Sequence, residues 1–189
     1  MSLTRTLLRL CVVGVVLGAA SKARAQEGPP KPTEEHKILA EEVGTWDAVV
    51  KSFMGGPDAE PMVSKGVETN AMMAGGLWLL SKFEGEFGGM KFEGRGQFGY
   101  DADKKKYVGT WVDSMAPTIS LLEGTYDAKT KTMTYVGEGV EPNSKAKYTM
   151  KMVTVTKDDG TRVFTLSMKM PATGDKEAKV MEITYTKRK

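Results

Sequence analysis

The chain has 189 residues, with 27 Lys and Arg against 24 Asp and Glu, one cysteine and one histidine. A single cysteine excludes an internal disulfide, and a single histidine excludes the usual zinc centres, which need several His or Cys ligands. The net charge of +3 points toward nucleic acid only until its location is considered.

Met1–Ala25 has a basic start at Arg5 and Arg9, an apolar run from Leu10 through Ala20, and the small-residue sequence Ala23-Arg24-Ala25. This is the pattern of a removable export signal. The apolar run is shorter than the roughly 20 residues a spanning helix needs, so no stable membrane anchor is expected. The signal holds Arg5, Arg9, Lys22 and Arg24 and no acidic residue, and its removal leaves 23 basic against 24 acidic residues. The case for nucleic acid leaves with it. Cys11 leaves too, so the mature chain from Gln26 has no thiol. It is long enough for one domain with its own core, and its expected location is the periplasm or the medium.

Residues 26–32, Gln-Glu-Gly-Pro-Pro-Lys-Pro, read as a flexible or extended leader. Thr33 as N-cap, the acidic Glu34 and Glu35, the apolar Ile38, Leu39 and Val43, and then Gly44 outline one short helix. From Gly44 the hydrophobic period changes to two. Leu77, Leu79, Phe83 and Phe87 oppose Lys82, Glu84 and Glu86; Tyr148, Met150 and Met152 oppose Lys147, Thr149 and Lys151; and Met181, Ile183 and Tyr185 oppose Glu182, Thr184 and Thr186. Turn sequences at Asp101-Ala102-Asp103, Asp127-Ala128-Lys129, Asp158-Asp159-Gly160 and Thr173-Gly174-Asp175 join about ten strands into an antiparallel meander. So many hairpin-linked strands curl until their edges meet, which predicts an all-β, up-and-down barrel over 33–189 with the helix at one end. Gly85, Gly94, Gly96, Gly109, Gly124, Gly137 and Gly139 fall inside strand patterns and are expected at bends or bulges.

Few constellations suggest chemistry. His36, on the short helix, would have to serve any hydroxyl–imidazole mechanism, and a solvated or barrel-capping role is the simpler expectation. The triplets Met150–Met152 and Met168–Met170 place thioethers on one strand face, as Cu(I) sites sometimes do, but methionine is first a filler of irregular apolar space. Gly94-Arg95-Gly96 lacks the strand-to-helix setting of a phosphate loop. The carboxylate pairs Glu84/Glu86 and Asp101/Asp103 fit exposed strand and turn faces. No metal or cofactor is expected. The run Tyr107–Met115 is the most informative, since alternation puts Tyr107, Gly109, Trp111, Asp113 and Met115 on one face. A carboxylate beside large apolar groups is either paired internally, with Arg95 or a tyrosine hydroxyl, or is the polar contact of a pocket.

His36-Lys37-Ile38-Leu39, Val43-Gly44-Thr45-Trp46, Gly75-Gly76-Leu77-Trp78, Phe92-Glu93-Gly94, Gly99-Tyr100-Asp101, Lys106-Tyr107, Trp111-Val112-Asp113-Ser114-Met115 and Glu123-Gly124-Thr125-Tyr126-Asp127 together resemble the family catalogued as domain of unknown function 1579. The resemblance spans most of the mature chain. It implies a lipocalin-like barrel and carries no established activity. Trp46, Trp78, Trp111 and Asp113 are then either barrel-closing or pocket residues. With Tyr107 and Met115 they form the expected ligand-binding set for a small apolar or amphipathic molecule, with no catalytic residue assigned. The alternatives are a packed barrel whose outer face or open edge meets an envelope protein, and a hydrolase or isomerase using Asp113.

Overall fold

A computed structural model describes residues 28–55, 59–141, 144–171 and 174–189. The expected export signal and the first residues of the leader lie outside them. Lys31–Lys189 forms one compact unit.

The helix α1 (Glu34–Ala40) begins where the sequence places it. The Thr33 hydroxyl donates to Glu35 Oε2 at 2.5 Å, while the Thr33 N–H donates to His36 Nδ1 at 3.0 Å. The three last-turn amides of Glu41, Glu42 and Val43 then bond back to Lys37, Leu39 and Ala40. Gly44 lies beyond the helix. It opens the first strand at φ +134°, a conformation glycine tolerates and other residues resist.

Ten strands follow: β1 (Gly44–Ser52), β2 (Met62–Met72), β3 (Trp78–Phe87), β4 (Met90–Asp101), β5 (Lys106–Asp113), β6 (Ala116–Asp127), β7 (Thr132–Val140), β8 (Lys147–Thr156), β9 (Arg162–Lys169) and β10 (Glu177–Lys187). Each pairs antiparallel with its sequence neighbour. β1 also pairs with β10, from Trp46 opposite Lys187 to Ser52 opposite Met181, so the sheet is a closed barrel. Beyond β10, the Arg188 N–H donates to Thr45 O at 2.8 Å and its guanidinium grips Asp47. The anticipated aspartate turns form as read: Asp101, Asp127 and Asp159 each accept a backbone N–H two residues on.

Alternation sends one side chain of each pair inward. The outer wall carries ion pairs such as Lys82–Glu84 at 2.7 Å and Arg95–Glu93 at 2.6 Å. Two clusters form the interior. One gathers Leu39 of α1 with Leu79, Tyr107, Leu122, Met133, Tyr135 and Met150; the other gathers Trp46, Ala48, Val50, Phe83, Ile183 and Tyr185.

The strand glycines Gly94, Gly96 and Gly124 carry no bulge. Register shifts occur at Trp111/Asp113 and Lys179/Met181, while pairing runs unbroken through Gly94, Gly96 and Gly124. Their role is close approach. A Cβ on Gly94 would lie 2.2 Å from the Trp111 indole, and one on Gly109 would lie 2.4 Å from the Phe98 ring. The missing side chains are seats in which rings lie flat against the inner wall.

Candidate functional site

The two ends of the barrel are built differently. At one end α1 acts as a plug, because Leu39 is buried and Ile38 and Val43 pack beside it against Leu79 and Tyr107. The Tyr107 hydroxyl donates to Glu35 O at 3.3 Å, and its ring meets Tyr100 edge-on. Burial pushes the Tyr107 hydroxyl up to about 12. His36 is buried, with its Nδ1 occupied as the acceptor for Thr33 and its ring edge-on to Tyr100 at 6.2 Å. Its role is to cap the helix and fill the end of the barrel.

Next to the plug lies a polar cluster that the sequence reading missed. Arg162 pairs with Glu42 and, at 2.6 Å, with Glu68; its guanidinium lies 3.8 Å from the centroid of the Trp46 ring and 4.7 Å from that of Tyr185. Glu42 O accepts from Trp46 Nε1 at 2.9 Å and Asn70 Nδ2 at 3.2 Å, and the same Asn70 amide donates to Glu68 at 2.8 Å. Burial pushes the Glu68 carboxyl up to about 7, against the hydrogen bonds from Asn70 and Tyr185 that hold it down. Burial likewise lowers Arg162 to about 10. Arg162 Nε and Asn70 Oδ1 find no partner among the described residues. The cluster clamps the α1–β1 corner onto β2, β9 and β10. One sequence signal pointed to it: Gly66, Glu68, Asn70 and Met72 alternate in phase, which puts two polar groups on an inward face.

At the opposite end no helix intervenes. Phe92, Trp111, Tyr148 and Met168, on the half of the barrel away from α1, face inward yet are only half-buried, so solvent reaches the lumen there. Two clefts notch this mouth. One of about 310 Å³ lies among Ser52, Met62, Ser64, Phe87 and Gly88, and one of about 430 Å³ lies among Gly139, Lys147, Tyr148, Lys169 and Asp175. Their sizes fall at the lower end of the range of small-molecule sites.

The expected site residues divide accordingly. Trp46 and Tyr107 are buried beside the plug. Trp111 lines the lumen, seated on Gly94, and its Nε1 donates to Asp113 Oδ2 at 3.1 Å. Asp113 Oδ1 accepts the N–H groups of Met115 at 2.8 Å and Ala116 at 3.0 Å. The carboxylate is therefore paired internally, but with an indole and a turn. Arg95 is outside, bound to Glu93. Trp78 also faces outward, covering Gly99, and Met115 is exposed on the turn after β5. The six residues thus occupy the plug end, the lumen wall and the outer surface.

Three of the four methionines in the two triplets pack in the core. Met150 opposes Met168 across β8 and β9, and both belong with Met152 to the core. Among the described residues no three His, Cys, Asp or Glu side chains converge as metal ligands, and no helix is long and apolar enough to cross a membrane.

A family model described as "Protein of unknown function (DUF1579)" matches residues 31–187. The chain belongs to the DUF1579 family. No match was found among curated proteins. The matched span takes in all ten strands, α1 and the Arg162 cluster, so the plugged barrel is the unit to which the DUF1579 description applies.

Proposed function

We propose that the protein is an exported carrier whose barrel takes a small apolar or amphipathic molecule through the end opposite α1. The observation that carries this reading is a contrast between the ends: Trp46, Tyr107 and Tyr185 are buried beside the plug, whereas Phe92, Trp111, Tyr148 and Met168 are half-buried toward the mouth. Rings seated on glycines support it, since a ring flat against the wall leaves more of the lumen clear than one projecting across it. Flexible methionines on β8 and β9 suit ligands of varied shape. The Met1–Ala25 pattern supports export.

The test is to purify residues 26–189 under native conditions, extract with organic solvent for mass spectrometry, and titrate the extracted protein with an apolar fluorescent probe. One-to-one probe binding that quenches Trp111 is the expected result. A protein that is empty as purified and refuses the probe would sink the carrier reading.

One observation favours a second reading, a barrel packed solid. Trp111 touches both core clusters and so bridges the interior at mid-height. In that case the protein works through its outer surface. An open sheet edge is no longer part of this reading, because β1 and β10 close the barrel.

A further inference from the structure

The Tyr135 hydroxyl is buried and has no hydrogen-bond partner among the described residues. The side chain is 8% exposed on an inward position of β7, and its ring lies over Gly124 and beside Phe98, with 5.4 Å between the two ring centroids. A buried tyrosine ordinarily keeps its O–H paired, and one left unpaired forfeits the hydrogen bond it had in water. Phenylalanine would fill the same space without that cost. The hydroxyl therefore calls for a partner from outside the chain. Water fits poorly, because a buried water is held by roughly two to four polar groups, whereas the buried side chains clustered with Tyr135 include the apolar Leu79, Leu122, Met133 and Met150. The ionisable neighbour that acts on the hydroxyl is Tyr107, which already donates to Glu35 O.

The lumen reaches this level. Tyr135, Met152 and Leu166 are register partners across β7, β8 and β9, and Met152 and Leu166 face inward yet are only half-buried. Toward the mouth, the next two inward positions of β7 are Gly137 and Gly139, which add no side chain to the lumen. Gly139 lines the 430 Å³ cleft at the rim. Four residues of strand separate it from Tyr135, a depth of about 13 Å.

We propose that the Tyr135 hydroxyl receives the polar end of the carried molecule, and that this molecule is an uncharged amphiphile, a long-chain alcohol or ketone, inserted oxygen first. This rests on the carrier reading and names the class of its ligand. A hydroxyl both donates and accepts, so it serves either oxygen. A carboxylate or phosphate buried at this depth would need a cation. Arg162 is the one buried Lys or Arg among the described residues, and it is already divided between Glu42 and Glu68.

The experiment compares residues 26–189 with the Tyr135→Phe variant, which removes one oxygen and keeps the ring. Decan-1-ol and decanoate are each titrated against the apolar fluorescent probe, and both proteins are melted without ligand. The parent should take decan-1-ol more tightly than decanoate. Tyr135→Phe should weaken decan-1-ol about fivefold, leave the affinity of the probe unchanged, and match or exceed the parent melting temperature. A lower melting temperature for the variant would show that the hydroxyl is satisfied within the folded protein, and would overturn the proposal. So would a preference for decanoate, or equal decan-1-ol affinity in the two proteins. If the parent takes the probe in those cases, the carrier reading survives without this ligand class; if it takes neither probe nor alcohol, both fall.

Discussion

Glu68 is the side chain whose titration should be visible in the stability of the whole barrel. Its carboxyl rises from an ordinary 4.5 to about 7 in the folded state. The folded protein therefore holds a proton that the unfolded chain has released between these values. This contribution to stability is fully present below about 4.5 and is lost as pH rises through about 7. Urea unfolding of the parent and Glu68→Gln across this window should diverge by up to about 3 kcal/mol, with the variant the flatter of the two. Arg162, at 2.6 Å, reduces the effect, because a neighbouring cation favours the charged carboxylate. Parallel curves would show that Glu68 stays ionised. Removing the cation has the opposite logic. Arg162→Met strands Glu42 and Glu68 without their partner and should cost about 3–5 kcal/mol, and adding Glu68→Gln should recover part of that loss. Equal instability of the single and double variants would mean that packing on Trp46 and Tyr185 is what Arg162 contributes.

At the scale of strands, glycine and aromatic positions act as pairs. Gly94→Ala drives a methyl into the Trp111 indole, which the Asp113 hydrogen bond holds in place. Overpacking of this kind costs about 1–3 kcal/mol. The same substitution in a Trp111→Ala background should cost much less, and thermal melts of the four proteins measure the coupling. Additive losses would show that the Gly94 backbone, not the ring, resists the methyl. These pairs also mark how far the sequence can be read. Period-two alternation and aspartate turns made the strands and most hairpins legible, because both are local signals. Whether a strand glycine bends the chain or seats a ring depends on a residue across the sheet, as with Gly109 and Phe98, and no local pattern carries that. Trp78 shows the same limit: it sits in a hydrophobic stretch, yet alternation from Leu79 turns it outward over Gly99. Arg162 was hidden because a charge at the first residue of a strand reads as solvated, and its partners lie on β2 and in the α1–β1 corner.

The molecule as a whole depends on one long-range closure. Nine of its strand pairings join sequence neighbours, and the tenth ties Trp46–Ser52 to Met181–Lys187. Ends so far apart in sequence meet late, which predicts slow folding with the hairpins forming before the seam. Deleting residues 177–189 would leave β1 and β9 with unpaired edges, and the truncated chain should associate, as light scattering would detect. A monomeric, folded truncation would show that the other nine strands can close without β10.

The bond from Arg188 to Thr45 brings the end of the chain back beside the start of the first strand, at the plugged pole. Both tails of the barrel therefore leave from the face farthest from the mouth. A tether, an affinity tag or a fused protein on either tail would hold the barrel upright like a cup on a stalk, with its opening turned toward whatever it meets.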